Sequence, residues 1–194
     1  MTRLAPETMT LSEQENLLRV SGDCPRDHLL LSIALGTGLR LAEIVGLDVG
    51  DVYSPSGDVR SRVRLRPEIA KGGRSAYVFL PNLLLRKLGG FWIYKLTSAE
   101  GLSPADPFFC NQSGQRISKR RVQVIYRQWQ EQAGFDCIYP FHALRHTAVT
   151  NVYRASRDLF LAQRFARHVS PLTTTIYTHP SDEELQSSIR NLTC

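Results

Sequence analysis

The sequence predicts a mostly α domain carrying one small antiparallel β-sheet, an α+β fold in which helices dominate. Three observations lead there. Apolar residues recur at helical spacing through most of the chain, two capping boxes mark helix starts, and strand-like patterning is confined to the stretch between Asp51 and Leu80. At 194 residues the chain is near the size of one domain, so a single core is expected, with no interdomain linker, internal repeat or low-complexity tract.

Thr10-Leu11-Ser12-Glu13 has the capping-box form, in which a hydroxyl and a carboxylate three residues apart satisfy the open amides of a helix start; a helix to about Val20 follows. A second helix from about Asp27 to Leu35 is expected to end at Gly36-Thr37-Gly38, where glycine permits the backbone angles of a terminus. A short helix from Leu41 to Leu47 comes next. Val59, Val63 and Leu65, then Ala76 to Leu80, read as strands joined by the turn Lys71-Gly72-Gly73-Arg74. Helical patterns return at Leu83–Leu96, Lys119–Ala133, Phe141–Ala155 and Leu159–Ala166. A last helix is expected to open at the second capping box, Ser181-Asp182-Glu183-Glu184. Gly101–Asp106 and Asn111–Gln115 read as loops.

Composition narrows the function classes. Hydrophobic residues at 42% and charged residues at 22% are the balance of a folding chain, not of a disordered one. No apolar run approaches the roughly 18 residues of a membrane span, and the first residues lack a signal-peptide layout, so a cytoplasmic protein without membrane contact is expected. Cys24, Cys110, Cys137 and Cys194 stand far apart, which predicts reduced thiols and neither a zinc ribbon nor a disulfide framework. Lysine plus arginine outnumber aspartate plus glutamate by 24 to 18, a formal charge of +6 that favours a polyanionic partner.

The chemistry resides in four short segments. Gly36-Thr37-Gly38-Leu39-Arg40-Leu41-Ala42-Glu43 sets Arg40 after a glycine turn with a carboxylate three residues on, so Glu43 can orient Arg40. In Phe141-His142-Ala143-Leu144-Arg145-His146-Thr147 the same spacing joins an imidazole and a guanidinium on one face. Lys71 sits on the inter-strand turn, and His168 precedes Tyr177 by nine residues. Breaking a phosphodiester without metal needs a nucleophile, cationic donors for the non-bridging oxygens and an acid for the leaving hydroxyl; these residues supply all three. Arginine suits the second task because its planar fork pairs with phosphate and keeps its proton.

Other readings fit less well. His142 and His146 have zinc-helix spacing, but Ala143 stands where a metalloprotease needs glutamate. Gly36-x-Gly38 lacks a third glycine at Leu41 and does not follow a strand, against a dinucleotide loop. Trp92, Tyr94 and Trp129 lie in helical patterns, where packing is the default.

The order Arg40, Lys71, His142-x-x-Arg145, His168, Tyr177 resembles the active-site set of tyrosine recombinases, the phage integrase family. TGLRLAEIVGLDVGDV is similar to the family's first motif, FHALRHTAVT to its second and HVSPLTTTIYTH to its third. The resemblance implies that Tyr177 attacks the scissile phosphate to form a 3′-phosphotyrosine. It further implies that Arg40, Arg145 and His168 stabilise the five-coordinate phosphorus, that Lys71 protonates the leaving 5′-oxygen and that His142 acts as base or hydrogen-bond partner. No cofactor, metal or ATP is implied. The implied partner is double-stranded DNA, contacted by Arg40, Lys71, Arg74 and Arg145, with a chain that is monomeric alone and tetrameric on two duplexes.

Residues 1–194 then form the catalytic domain, with the N-terminal core-binding domain that most members carry expected to be absent. One departure stands out. Where the family commonly has glycine before the third-motif histidine, this chain has Arg167, which we expect to touch the DNA backbone. Two alternatives share the fold: a regulatory module that binds DNA without cutting, and a relaxase of the type IB topoisomerase kind.

Overall fold

The structure is a computed structural model, and it describes residues 7–168 together with Thr174 and Arg190. Among the described residues it is mostly helical with a single two-stranded antiparallel sheet, as the patterning predicts. The chain divides into two compact units, one of residues 7–148 and one comprising residues 149–194 with residues 1–6.

The larger unit begins with α1 (Leu11–Val20), whose capping box forms in full: Thr10 Oγ1 accepts from the Glu13 amide, and Glu13 Oε2 accepts from the Thr10 amide at 2.7 Å. Helix α2 (Pro25–Thr37) is buried on nearly every face and packs on α5 (Asn82–Thr97). It runs through Gly36, contrary to expectation, and only Gly38 adopts the left-handed angles of a terminus (φ 61°). At Gly36 a Cβ would make only ordinary contacts, 3.4 Å from Leu84 Cδ2 and 3.7 Å from Pro81 Cγ.

Helix α3 (Leu41–Gly46) matches its prediction. The next turn is one the patterning does not predict: Val49–Val52 is a helical turn, α4, which overlaps the start of the region read as β from Asp51. Asp48 and Asp51 cap it, the Asp48 amide donating to Asp51 Oδ2 at 2.9 Å. The strands proper are β1 (Arg62–Leu65) and β2 (Ala76–Phe79), paired Arg62 to Phe79, Val63 to Val78, Arg64 to Tyr77 and Leu65 to Ala76. Alternation buries Val63, Leu65 and Val78 and turns Arg62, Arg64, Tyr77 and Phe79 outward. Val59 lies outside the sheet, in an isolated bridge with Tyr53.

Helix α6 (Lys119–Gln132) starts at Ser118, whose hydroxyl accepts from the Arg121 amide. Around α2, α5 and α6 lies the core, including Leu17, Leu29, Ile33, Leu88, Phe108 and Tyr126. Each fully buried aliphatic side chain there contributes on the order of 2 kcal/mol. Lys95 is wholly buried, and its ammonium is paired with Glu100 at 2.6 Å and the Phe108 carbonyl at 3.2 Å.

Helix α7 (His142–Ser156) begins in the larger unit and ends in the smaller, which also holds α8 (Leu159–Ala166). The smaller unit has its own apolar cluster of Val149, Ala162 and Ala166, with Tyr153 and Phe165 against it. The helix expected from Ser181 lies outside the described residues.

Candidate active site

Four of the residues singled out by spacing are held together in the larger unit. Gly38 ends α2 in a left-handed turn, which lets the chain reverse into α3 with Arg40 at its N-terminal boundary. Glu43, 2% exposed, reaches back and accepts twice from Arg40, from its amide at 2.8 Å and from Nη1 at 3.0 Å. The guanidinium is thus fixed by a buried carboxylate, as the spacing predicts. A charge-assisted bond of this kind is about twice as strong as a neutral one.

Arg145 lies one turn into α7, 3% exposed, and its Nη1 donates to the Gly38 carbonyl. The second arginine therefore grips the turn that positions the first. Helix α7 is tied down near by, where the Met9 amide donates to Thr147 Oγ1 at 2.9 Å.

Lys71 lies in the β1–β2 loop. Arg66 anchors the loop's start through Asp48 at 2.7 Å, Asp51 at 3.0 Å and the Gly46 carbonyl at 2.9 Å. Ile69 packs against Gly46 so closely that a Cβ there would meet its Cγ2 at 2.6 Å. Beyond these anchors Lys71 is exposed, followed by Gly72 and Gly73 at φ 85° and 66°. Arg74 is exposed in the same loop.

His142 reports on this gathering. Its pKa is lowered first by loss of solvation and then by the positive charges of Arg145, Arg40 and Lys71. Three cations from separate stretches of sequence act on one imidazole. Of the other internal lysines, Lys87 donates to Ser32 Oγ at 2.8 Å, Lys95 is buried with Glu100, and Lys119 is exposed at the start of α6. His146, which has zinc-helix spacing from His142, packs edge-on against it with centroids 4.5 Å apart. Burial, His142 and Arg145 lower its pKa to about 4, so both rings are neutral at pH 7.

The histidine turn lies in the smaller unit. Arg167 occupies the left-handed position after α8 (φ 54°, ψ 42°), with its amide donating to the Arg164 carbonyl at 3.1 Å and the His168 amide to the Gln163 carbonyl at 3.1 Å. This is a Schellman turn, and the left-handed angles explain why glycine suits the position. Gln163 Nε2 donates back to the His168 carbonyl at 3.2 Å, and His168 Nδ1 lies 2.9 Å from the hydroxyl of Thr174, which is wholly buried. The imidazole is thereby fixed through one nitrogen. Tyr177 and His179 lie outside the described residues.

Solved structures share this fold. XerA recombinase superposes with a TM-score of 0.81 at 24% identity, covering 98% of this chain and 65% of that one. XerH recombinase, bound to its difH substrate before cleavage, gives 0.74 at 24% identity, covering 96% and 54%. The fold is therefore that of a tyrosine recombinase catalytic domain. In sequence, the phage integrase family profile matches residues 7–184, and the chain belongs to that family. Tyrosine recombinase XerC of Vibrio vulnificus (strain YJ016) is 34% identical over 181 residues, which cover 91% of this chain and 54% of that protein. The chain thus spans about half the length of the relatives it matches. Among the described residues no helix is long and apolar enough to cross a membrane.

Proposed function

We propose that residues 1–194 form the catalytic domain of a site-specific recombinase that cuts and rejoins double-stranded DNA through a 3′-phosphotyrosine. The observation that carries this reading is that Arg145 grips the Gly38 turn on which the Glu43-braced Arg40 is mounted, a pairing of guanidiniums suited to a dianionic five-coordinate phosphorus. The Tyr177 phenol, with an ordinary pKa near 10, attacks phosphorus and gives up its proton to a neutral imidazole, His142 being held uncharged at pH 7.

Arg40, Arg145 and His168 take up the charge on the non-bridging oxygens. As the P–O5′ bond breaks, Lys71 delivers a proton to the departing oxygen. A 5′-hydroxyl from a second duplex then reverses the step. One phosphoester is exchanged for another at each stage, so neither ATP nor a metal ion is required.

The functional assembly is a tetramer on two duplexes, formed in the cytoplasm from chains that are monomeric alone. Arg74 and Arg167 add backbone contacts to the DNA. The test is a library of nicked duplexes with randomised cores, in which the nicked strand is lost after cleavage and the covalent product accumulates. Recovery of one preferred core sequence supports a site-specific recombinase. Trapping without sequence preference favours a relaxase, and DNA binding without any trapped product favours a regulatory module.

A further inference from the structure

The outer face of the sheet carries a row of arginines that the chemistry above does not use. Arg60, Arg62 and Arg64 alternate along and just before β1, and all three are exposed. Alternate residues on a strand project to one side about 6.6 Å apart. They border an open recess of about 460 Å³, shared with Gly50, Asp51 and Tyr77.

The charge on this face is uncompensated. Asp51, the one carboxylate there, is engaged by Arg66 from 3.0 Å. Arg60 is held through Nε by the carbonyls of Gly50 and Tyr53, at 3.2 and 3.0 Å, and Arg62 lies 4.5 Å over the Tyr77 ring. The side chain of Arg64 has no hydrogen bond or ion pair among the described residues. By contrast Arg40, Arg66 and Arg116 are each paired with a carboxylate. Stacking on Tyr77 and bonding to carbonyls orient two of the three guanidiniums without neutralising them.

We propose that this face is a second DNA contact, in which Arg60, Arg62 and Arg64 hold neighbouring phosphates of one strand. Arg62 and Arg64, alternate residues on β1, have a spacing comparable with that of phosphates along a nucleic-acid backbone, Arg60 lies just before them, and β1 leads directly into the loop that carries Lys71. The contact extends the DNA footprint away from the scissile phosphate and steadies the loop through the strand that carries it. It rests on the DNA-cutting reading.

The test uses a fluorescein-labelled duplex of arbitrary sequence, titrated with the chain over a range of salt. Each phosphate contact contributes about 0.9 to the slope of log K against log salt. Arg62→Gln with Arg64→Gln is expected to make the slope shallower by about 1.8, with unchanged thermal melting, whereas Arg62→Lys with Arg64→Lys keeps the parent slope. If the glutamine pair impairs folding, Arg64→Gln alone is expected to lower the slope by about 0.9. A folded glutamine variant with the parent slope overturns this contact while leaving covalent trapping intact. A parent chain that does not bind the duplex overturns both readings.

Discussion

The guanidinium of Arg145 donates to the carbonyl of Gly38, so α7 grips the turn on which Arg40 is mounted. The two arginines are thereby one mechanical unit, although more than a hundred residues separate them in sequence. Arg145→Ala is expected to leave a buried carbonyl unpaired and to cost about 2 kcal/mol, read as a lower urea midpoint with an unchanged m-value. A variant as stable as the parent contradicts this coupling.

Glu43 is the buried brace of Arg40. Glu43→Gln keeps the side chain's shape and removes its charge, so the guanidinium is held less firmly. We expect single-turnover cleavage to slow by about 10- to 100-fold, or about 1.4 to 2.8 kcal/mol, with DNA affinity little changed. Loss of affinity with an unchanged rate would place Glu43 in binding alone.

Arg167 carries two effects of opposite sign. Its left-handed backbone is strained for any residue with a Cβ, so Arg167→Gly is expected to stabilise the chain by about 1 kcal/mol, seen as a higher melting temperature. If its guanidinium touches DNA, the same change lowers the salt slope by about 0.9. A higher melting temperature with an unchanged slope would leave Arg167 no part in binding.

His146 links the site to acid stability. Its folded pKa of about 4 lies below the ordinary value near 6.5, so the unfolded chain takes up the proton first as pH falls. Its contribution is complete above about pH 6.5 and is lost progressively down to about pH 4, by at most about 3 kcal/mol. His142 shifts in the same direction and adds to the slope. Urea unfolding at pH 7 and pH 5 checks this: His146→Gln is expected to lose less stability between the two than the parent does. An equal loss would contradict it.

Most of the helices were legible because their ends carry local chemistry. The Thr10–Glu13 box and the Ser118 cap each form the bonds that their residue types imply. Helix α4 was hidden because its valines suit either state and its capping groups, Asp48 and Asp51, are shared with Arg66 of a later loop. Gly36 and Gly38 look alike in sequence, yet one continues the helix and the other turns the chain. Spacing paired Arg40 with Glu43 and His142 with Arg145, but only the three-dimensional structure joins the two pairs through Gly38. The arginines stand in the sequence as Arg60-Ser61-Arg62-Val63-Arg64, but alternation there marks the buried Val63 and Leu65 and does not by itself assign a role to the outward face.

Covalent capture tests the central claim most directly. After reaction with a nicked duplex, trypsin releases the peptide His168–Arg190, in which Tyr177 is the sole tyrosine. Mass spectrometry is expected to find that peptide carrying a 3′-phosphorylated oligonucleotide on Tyr177, and none from Tyr177→Phe. An adduct on another residue, or one that persists in the phenylalanine variant, would contradict the account.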